Sequence, residues 1–291
     1  MTDGGKGSAV DTEKMRTWDS PPTECERRVR RTRKTWRRIT RRVRRVLWGE
    51  SCICCGDRGV GDELLCGECA ARFQAKLVEI CPECGLERVR CLCAPPHLRE
   101  AGCDMLLKLA AYDAGDPECP LNMIIARQKR LRDREAARFL AELLSAPVRE
   151  LMEGTGCLPA DVIISYVPRD PAKVREVGHD QARLLAAALA ERLCVPMRQT
   201  LSRRAGSREQ KKLTAAERRR NVQSRFAVAR GVSVDDIAGK RVILVDDLVT
   251  TGATAGACAA VLSGLGAQVI CAAVAYTPPH AEGASGDAFP I

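Results

Sequence analysis

The run RVILVDDLVTTGATAGA, residues 241–257, constrains this chain more than any other stretch. Val242, Ile243, Leu244 and Val245 form an unbroken apolar run, which is how a strand buried on both faces reads. Two aspartates follow, then threonines, glycine and alanines with nothing bulky among them. In open α/β sheets, ligands sit beyond the carboxyl ends of the strands, and Asp246 and Asp247 stand at that end. Adjacent carboxylates repel a purely anionic ligand, so they call for hydroxyls or a cation. Thr250, Thr251, Gly252, Ala253 and Thr254 open the next helix, where hydroxyls and backbone N–H groups make an anion pocket favoured by the helix dipole. A ligand with vicinal hydroxyls at one end and a phosphate at the other, such as a ribose 5-phosphate, meets both demands. The alternative is a buried strand with an Asp-Asp turn and a threonine N-cap.

Strand and helix patterns alternate around that run. DMLLKLAAY (104–112) and DVIISYV (161–167) read as strands, and QVICAAVAY (268–276) as the last one. Residues 121–144 read as one or two helices, HDQARLLAAALAERL (179–193) as another, and TGATAGACAAVLSGL as the helix after the aspartates. Such alternation predicts an α/β domain with a mainly parallel sheet and flanking helices. The polar, basic stretch 199–220 reads as a long loop that turns helical near TAAERRRN, ahead of a short strand RFAV. The expected organisation is an arm (1–50), a Cys-rich module (51–96), the α/β domain (97–278) and a patternless tail (279–291).

No apolar run approaches the roughly 20 residues that span a bilayer, so no transmembrane segment is expected. The first 25 residues are polar and lack the apolar core of a secretory signal, which points to the cytoplasm. The formal charge is +10, and residues 1–50 carry 15 Lys or Arg against 7 Asp or Glu. The basic character therefore belongs to the arm and not to the whole fold. Within it, Val29, Trp36, Ile39, Val43 and Val46 or Leu47 mark an apolar stripe on a cationic helix. Arg37, Arg38, Arg41, Arg42, Arg44 and Arg45 are the candidate phosphate contacts, making single-stranded DNA or another nucleic acid the leading partner. Trp36 or Trp48 offers a stacking surface for an unpaired base. An anionic membrane surface and a solubilising tail are the alternatives.

Nine of the sixteen cysteines fall between Cys52 and Cys93. A reducing cytosol disfavours disulfides, and the spacings suit metal. Cys52, Cys55, Cys66 and Cys69 form one C-x-x-C pair of pairs, and Cys81, Cys84, Cys91 and Cys93 a second that ends in C-x-C. Each offers four soft ligands for a tetrahedral structural Zn²⁺; in the second set Cys54 or His97 could intrude, and a redox dithiol is the rival reading of any single pair. A segment this poor in large apolar side chains needs such a staple to fold. Cys103, Cys119, Cys157, Cys194, Cys258 and Cys271 are scattered and read as small packing or surface residues.

VILVDDLVTTGAT resembles the PRPP-binding motif of type I phosphoribosyltransferases. The resemblance implies that Asp246 and Asp247 hold the ribose hydroxyls and that Thr250, Thr251, Gly252, Ala253 and Thr254 hold the 5-phosphate, with Mg²⁺ accompanying PRPP. Three further segments are similar to the ComF family. VPRDPAKVREVGHDQARLLAAALA (167–190) carries its VP…GFNQ…LA pattern, with GHDQ at Gly178, His179, Asp180 and Gln181, and Val177 where arginine is usual. Gln210, Leu213, Glu217, Arg218, Asn221 and Phe226 carry its Q..L...ER..N….F pattern. IIARQKRLRD (124–133) resembles its lysine-bearing segment and puts Lys129 at the lysine position, implying a catalytic role beside Asp246 and Asp247.

The ComF resemblance, which spans about residues 51–278, implies a type I phosphoribosyltransferase-like domain behind a zinc-ribbon module. It further implies a competence protein that handles incoming single-stranded DNA, with a competence helicase or recombination proteins as partners. Whether a transfer reaction occurs stays open. A salvage phosphoribosyltransferase and a PRPP-sensing regulator that binds nucleic acid are the rivals. The basic residues Arg203 to Arg220 would serve pyrophosphate departure, a solvated loop or a nucleic-acid contact, and His179 would serve either as a general base or as a structural loop residue.

Overall fold

The computed structural model describes residues 51–57, 63–130, 133–204 and 225–278. The arm, most of the 199–220 stretch and the tail lie outside the described residues.

The apolar run of the motif becomes the inner strand of a four-stranded parallel sheet. β5 (Arg241–Val249) pairs with β2 (Val162–Tyr166) on one side and β6 (Gln268–Tyr276) on the other, and β1 (Leu106–Ala111) flanks β6. The order β1-β6-β5-β2 leaves β5 and β6 inside, where β-branched and apolar runs are buried on both faces. The last β2 pair is Tyr166 with Val245, whereas β5 stays paired with β6 as far as Val249 with Tyr276. β5 therefore outruns β2. Asp246 and Asp247 thus lie within β5, past the last residue that pairs with β2.

Strand alternation feeds two cores. Ile243, Val245, Ile270 and Ala272 enter one, and Val242, Leu244, Val269 and Cys271 the other. The first core is covered by α4 (Arg134–Gly154) and α6 (Gln181–Leu193), through Leu140, Leu144, Leu185 and Leu189. Burying each leucine contributes about 1.5–3 kcal/mol. Asp133 caps α4 by accepting from the N–H groups of Glu135 and Ala136. The helix runs through Pro147 to Gly154, ten residues past the end that the sequence pattern suggested. Into the same core come Cys52, Ile53, Cys69 and Phe73 of the Cys-rich module, which includes α1 (Gly67–Leu77). Phe73 stacks at a tilt on Phe139 of α4, with ring centroids 5.5 Å apart.

The second core lies beneath α7 (Ala253–Ser263) and α2 (Pro96–Glu100), which contributes the fully buried Leu98. A separate antiparallel pair, β3 (Leu201–Arg203) with β4 (Phe226–Val228), closes this side. β3 is thus a strand within the stretch read as loop. α3 (Pro120–Arg130) precedes α4, and α5 (Pro171–Val177) precedes α6.

Candidate functional site

At the carboxyl end of the sheet lies a cleft of about 390 Å³, bounded by the ends of β2 and β5, the start of α7, and the ends of α3 and β3. Asp246, Asp247 and the whole loop from Thr250 to Thr254 line it. The strand turns the two carboxylates to different surroundings. The Asp247 carboxylate lies 3.6 Å from the Lys129 ammonium, and its Oδ1 accepts from the N–H of Leu248 at 2.9 Å. Asp246 accepts from the N–H of Asp247 at 2.8 Å. Burial, and next the Asp247 charge, hold the Asp246 carboxyl well above the usual carboxylate range.

The loop after the aspartates matches an anion cradle. Gly252, at φ 81°, starts α7 from the left-handed region and offers no side-chain cap. Among the described residues, the N–H of Ala253 finds only the Thr251 hydroxyl, at 3.4 Å. The remaining first-turn N–H groups have no partner inside the helix. Arg169, Lys173 and Arg203 also line the cleft. Arg169 Nη1 and Gln181 Nε2 are buried without a hydrogen-bond partner among the described residues, and both residues line the cleft. Such unpaired buried donors carry a desolvation cost that a partner would relieve.

The lining residue Asp180 has a structural task. It caps α6, accepting from Arg183 N–H at 3.2 Å and from Arg169 N–H at 2.9 Å. Burial raises its pKa against the pull of those two N–H groups. His179 is 5% exposed and does not line the cleft. Its Nδ1 lies 3.1 Å from the Val177 carbonyl and its Nε2 2.7 Å from the Gln128 carbonyl. The ring ties the loop before α6 to the end of α3, one residue before Lys129.

In both predicted cysteine sets all four sulfurs lie within 4.8 Å of one another. Burial opposes the Cys52 thiolate, yet N–H groups of Cys66, Cys54 and Cys55 bring its pKa down to about 7. Cys81 behaves likewise, brought to about 7 against burial by N–H groups of Cys84 and Glu83. Four soft sulfurs, one already inclined to ionise, fit a divalent metal such as zinc. Neither suspected intruder joins a set. Cys54 turns its thiol to the Pro120 carbonyl and the Met123 sulfur, and His97 pairs with Glu100.

A model described as "Phosphoribosyl transferase domain" matches residues 180–287. DNA utilization protein YhgH of Salmonella typhimurium (strain LT2) is 31% identical over 214 residues, covering 71% of this chain and 87% of that protein. Competence protein F of Haemophilus influenzae is 30% identical over 223 residues, covering 75% of this chain and 93% of its own length. The chain belongs to the ComF family. YhgH of Escherichia coli (strain K12) is also 30% identical, over 199 residues.

Of the ComF-like segments, the structure brings the Asp246–Thr254 motif, Lys129 and Gln181 to one cleft. The segment from Gln210 to Asn221 and the arginines of the arm lie outside the described residues. Arg169 and Lys173 were not singled out from the sequence. Their signal was position: Arg169 follows the buried run VIISYVP directly, just past the carboxyl end of the neighbouring strand, where open α/β sheets bind ligands.

Proposed function

We propose that this ComF-family chain binds PRPP in the cleft and works in the cytoplasm with single-stranded DNA during competence. The supporting observation is the junction of two chemistries in one cleft: carboxylates for hydroxyls at Asp246 and Asp247, and an uncapped helix start for a phosphate at Thr250–Thr254. Lys129, Arg169 and Lys173 add positive charge to the lining of the cleft, suited to the pyrophosphoryl group of PRPP and to the Mg²⁺-bound oxygens beside it. The relatives' names, DNA utilization protein and Competence protein F, favour a role with DNA. Zinc in the two cysteine sets would be structural, since four thiolates leave no open coordination position.

Calorimetric titration with PRPP and Mg²⁺ tests the reading. The wild type should bind, and Asp246→Asn and Asp247→Asn should each weaken binding about tenfold or more, the loss of a charge-assisted contact of about 1.5–3 kcal/mol. Binding equal in all three proteins would sink it. The cluster of Lys129, Arg169 and Arg203 also suits a genuine transferase, because departing pyrophosphate needs positive charge. Release of pyrophosphate from PRPP with any nucleobase of a panel would favour that second reading.

A further inference from the structure

We propose that the second cysteine set, Cys81, Cys84, Cys91 and Cys93, is the buttress of the phosphate cradle: a metal ion held there fixes the loop and helix start at Gly252–Ala257. The inference rests on the reading of the cleft as a ribose-phosphate site, and it names what holds that site in shape. Two contacts carry it, one on each side of Cys93.

The first is Lys108, in the middle of β1 and fully buried. Its ammonium donates to the carbonyls of Cys93 at 2.7 Å, Cys91 at 3.3 Å and Leu106 at 3.3 Å, and lies 5.6 Å from the centre of the Tyr276 ring. No carboxylate pairs with it among the described residues. A buried cation needs a counter-charge. Four thiolates around a divalent cation carry a net charge of about −2, and Cys91 and Cys93 supply half of them. The loaded centre and Lys108 thus hold the 91–93 segment to the sheet, where Cys93 bridges to Met105 and Leu106 N–H donates to the Leu92 carbonyl at 3.1 Å.

The second contact begins two residues after Cys93. Pro95 and α2 lie directly on the start of α7. A Cβ at Gly252 would come 2.7 Å from Pro95 Cγ and 3.4 Å from Leu98 Cγ, and one at Gly256 would come 2.5 Å from the His97 carbonyl oxygen. Gly252 and Gly256 are therefore small to admit α2, not only to admit a phosphate. Pressed this closely on backbone, α2 leaves the cradle no slack while Cys93 is fixed. Freed from the metal, Cys91 to Pro95 lose one anchor, and the cradle loses its outer wall.

The full-length protein decides this by hydrogen exchange, zinc content and PRPP affinity in wild type, Cys84→Ser and Lys108→Met. Cys84→Ser should lose one zinc per chain and weaken PRPP binding. Its amides from Gly252 to Ala257 should exchange at least about tenfold faster, as in local opening, while those of Val162–Tyr166 keep their protection. Lys108→Met keeps all eight thiols and should hold its second zinc about 10–100-fold more weakly, with the same faster exchange at Gly252–Ala257 once that zinc is gone. Wild-type exchange at Gly252–Ala257 after loss of the second zinc overturns the proposal. If Cys84→Ser also loses protection at Val162–Tyr166, Lys108→Met decides in its place. A wild type that binds zinc but no PRPP sinks the reading of the cleft, and the exchange rates still judge the buttress.

Discussion

At the residue scale, Asp246 carries a cost in stability that its proposed ligand role would explain. Burial, and then the neighbouring Asp247, raise its pKa in the folded chain. In the unfolded chain it titrates near the ordinary value of about 3.9. As pH rises above that value the unfolded state releases this proton first, so stability falls with rising pH until the folded carboxyl ionises too. Below the ordinary value both states hold the proton and the cost vanishes. Asp246→Asn removes the cost and keeps an oxygen for the N–H of Asp247, now accepted at 2.8 Å. The variant should be more stable than wild type by about 0.5–2 kcal/mol near neutral pH, with the gap closing towards about pH 4. Urea unfolding at both pH values measures it. A variant less stable than wild type at neutral pH would mean that Asp246 supports the fold and is not strained for a ligand.

At the scale of elements, one substitution should act with opposite sign in two helices. Gly256, inside α7, faces the His97 carbonyl oxygen at 2.5 Å from a built Cβ. That neighbour is backbone and cannot swing aside, so Gly256→Ala should cost about 1–3 kcal/mol. Gly154, the last residue of α4, has nothing within 4 Å of its Cβ position and no positive φ. Gly154→Ala should therefore stabilise by about 0.4–1 kcal/mol through the unfolded chain. Thermal unfolding of the pair gives the signs, and a stable Gly256→Ala would show that α2 yields. The two glycines also mark the reach of sequence reading. β5 and its aspartates were legible because a continuous apolar run has few other homes. The cysteine sets were legible because their ligands are close in sequence. α5 was hidden, since Pro171–Val177 buries no side chain and shows no stripe. Pro147 obscured the second half of α4, because a proline in a helix interior usually ends it. That α2 presses on α7 could not be read, because this contact joins residues more than 150 positions apart.

For the whole molecule, charge is divided between the cleft and the arm, as the two proposed tasks would require. The cleft holds carboxylates and cations together, whereas residues 27–45 carry eleven arginines and Lys34 with no acidic residue among them. A site that reads a sugar phosphate needs both signs, but a strand of DNA is attracted by positive charge alone. If the arm meets DNA, its contribution must appear as counterion release, which a contact made elsewhere on the fold would not change. Each phosphate neutralised on a single strand adds about 0.7 to the slope of log affinity against log salt. Replacing Arg37, Arg38, Arg41, Arg42, Arg44 and Arg45 with glutamine should therefore flatten that slope by about 4 if each meets one phosphate. The variant should still bind PRPP with wild-type affinity, because it leaves the Asp246–Thr254 loop and Lys129 of the cleft unchanged. Fluorescence anisotropy of a labelled single-stranded oligonucleotide across a salt series measures the slope directly. A slope equal to that of the wild type assigns DNA contact to another surface and leaves the arm without a role in it.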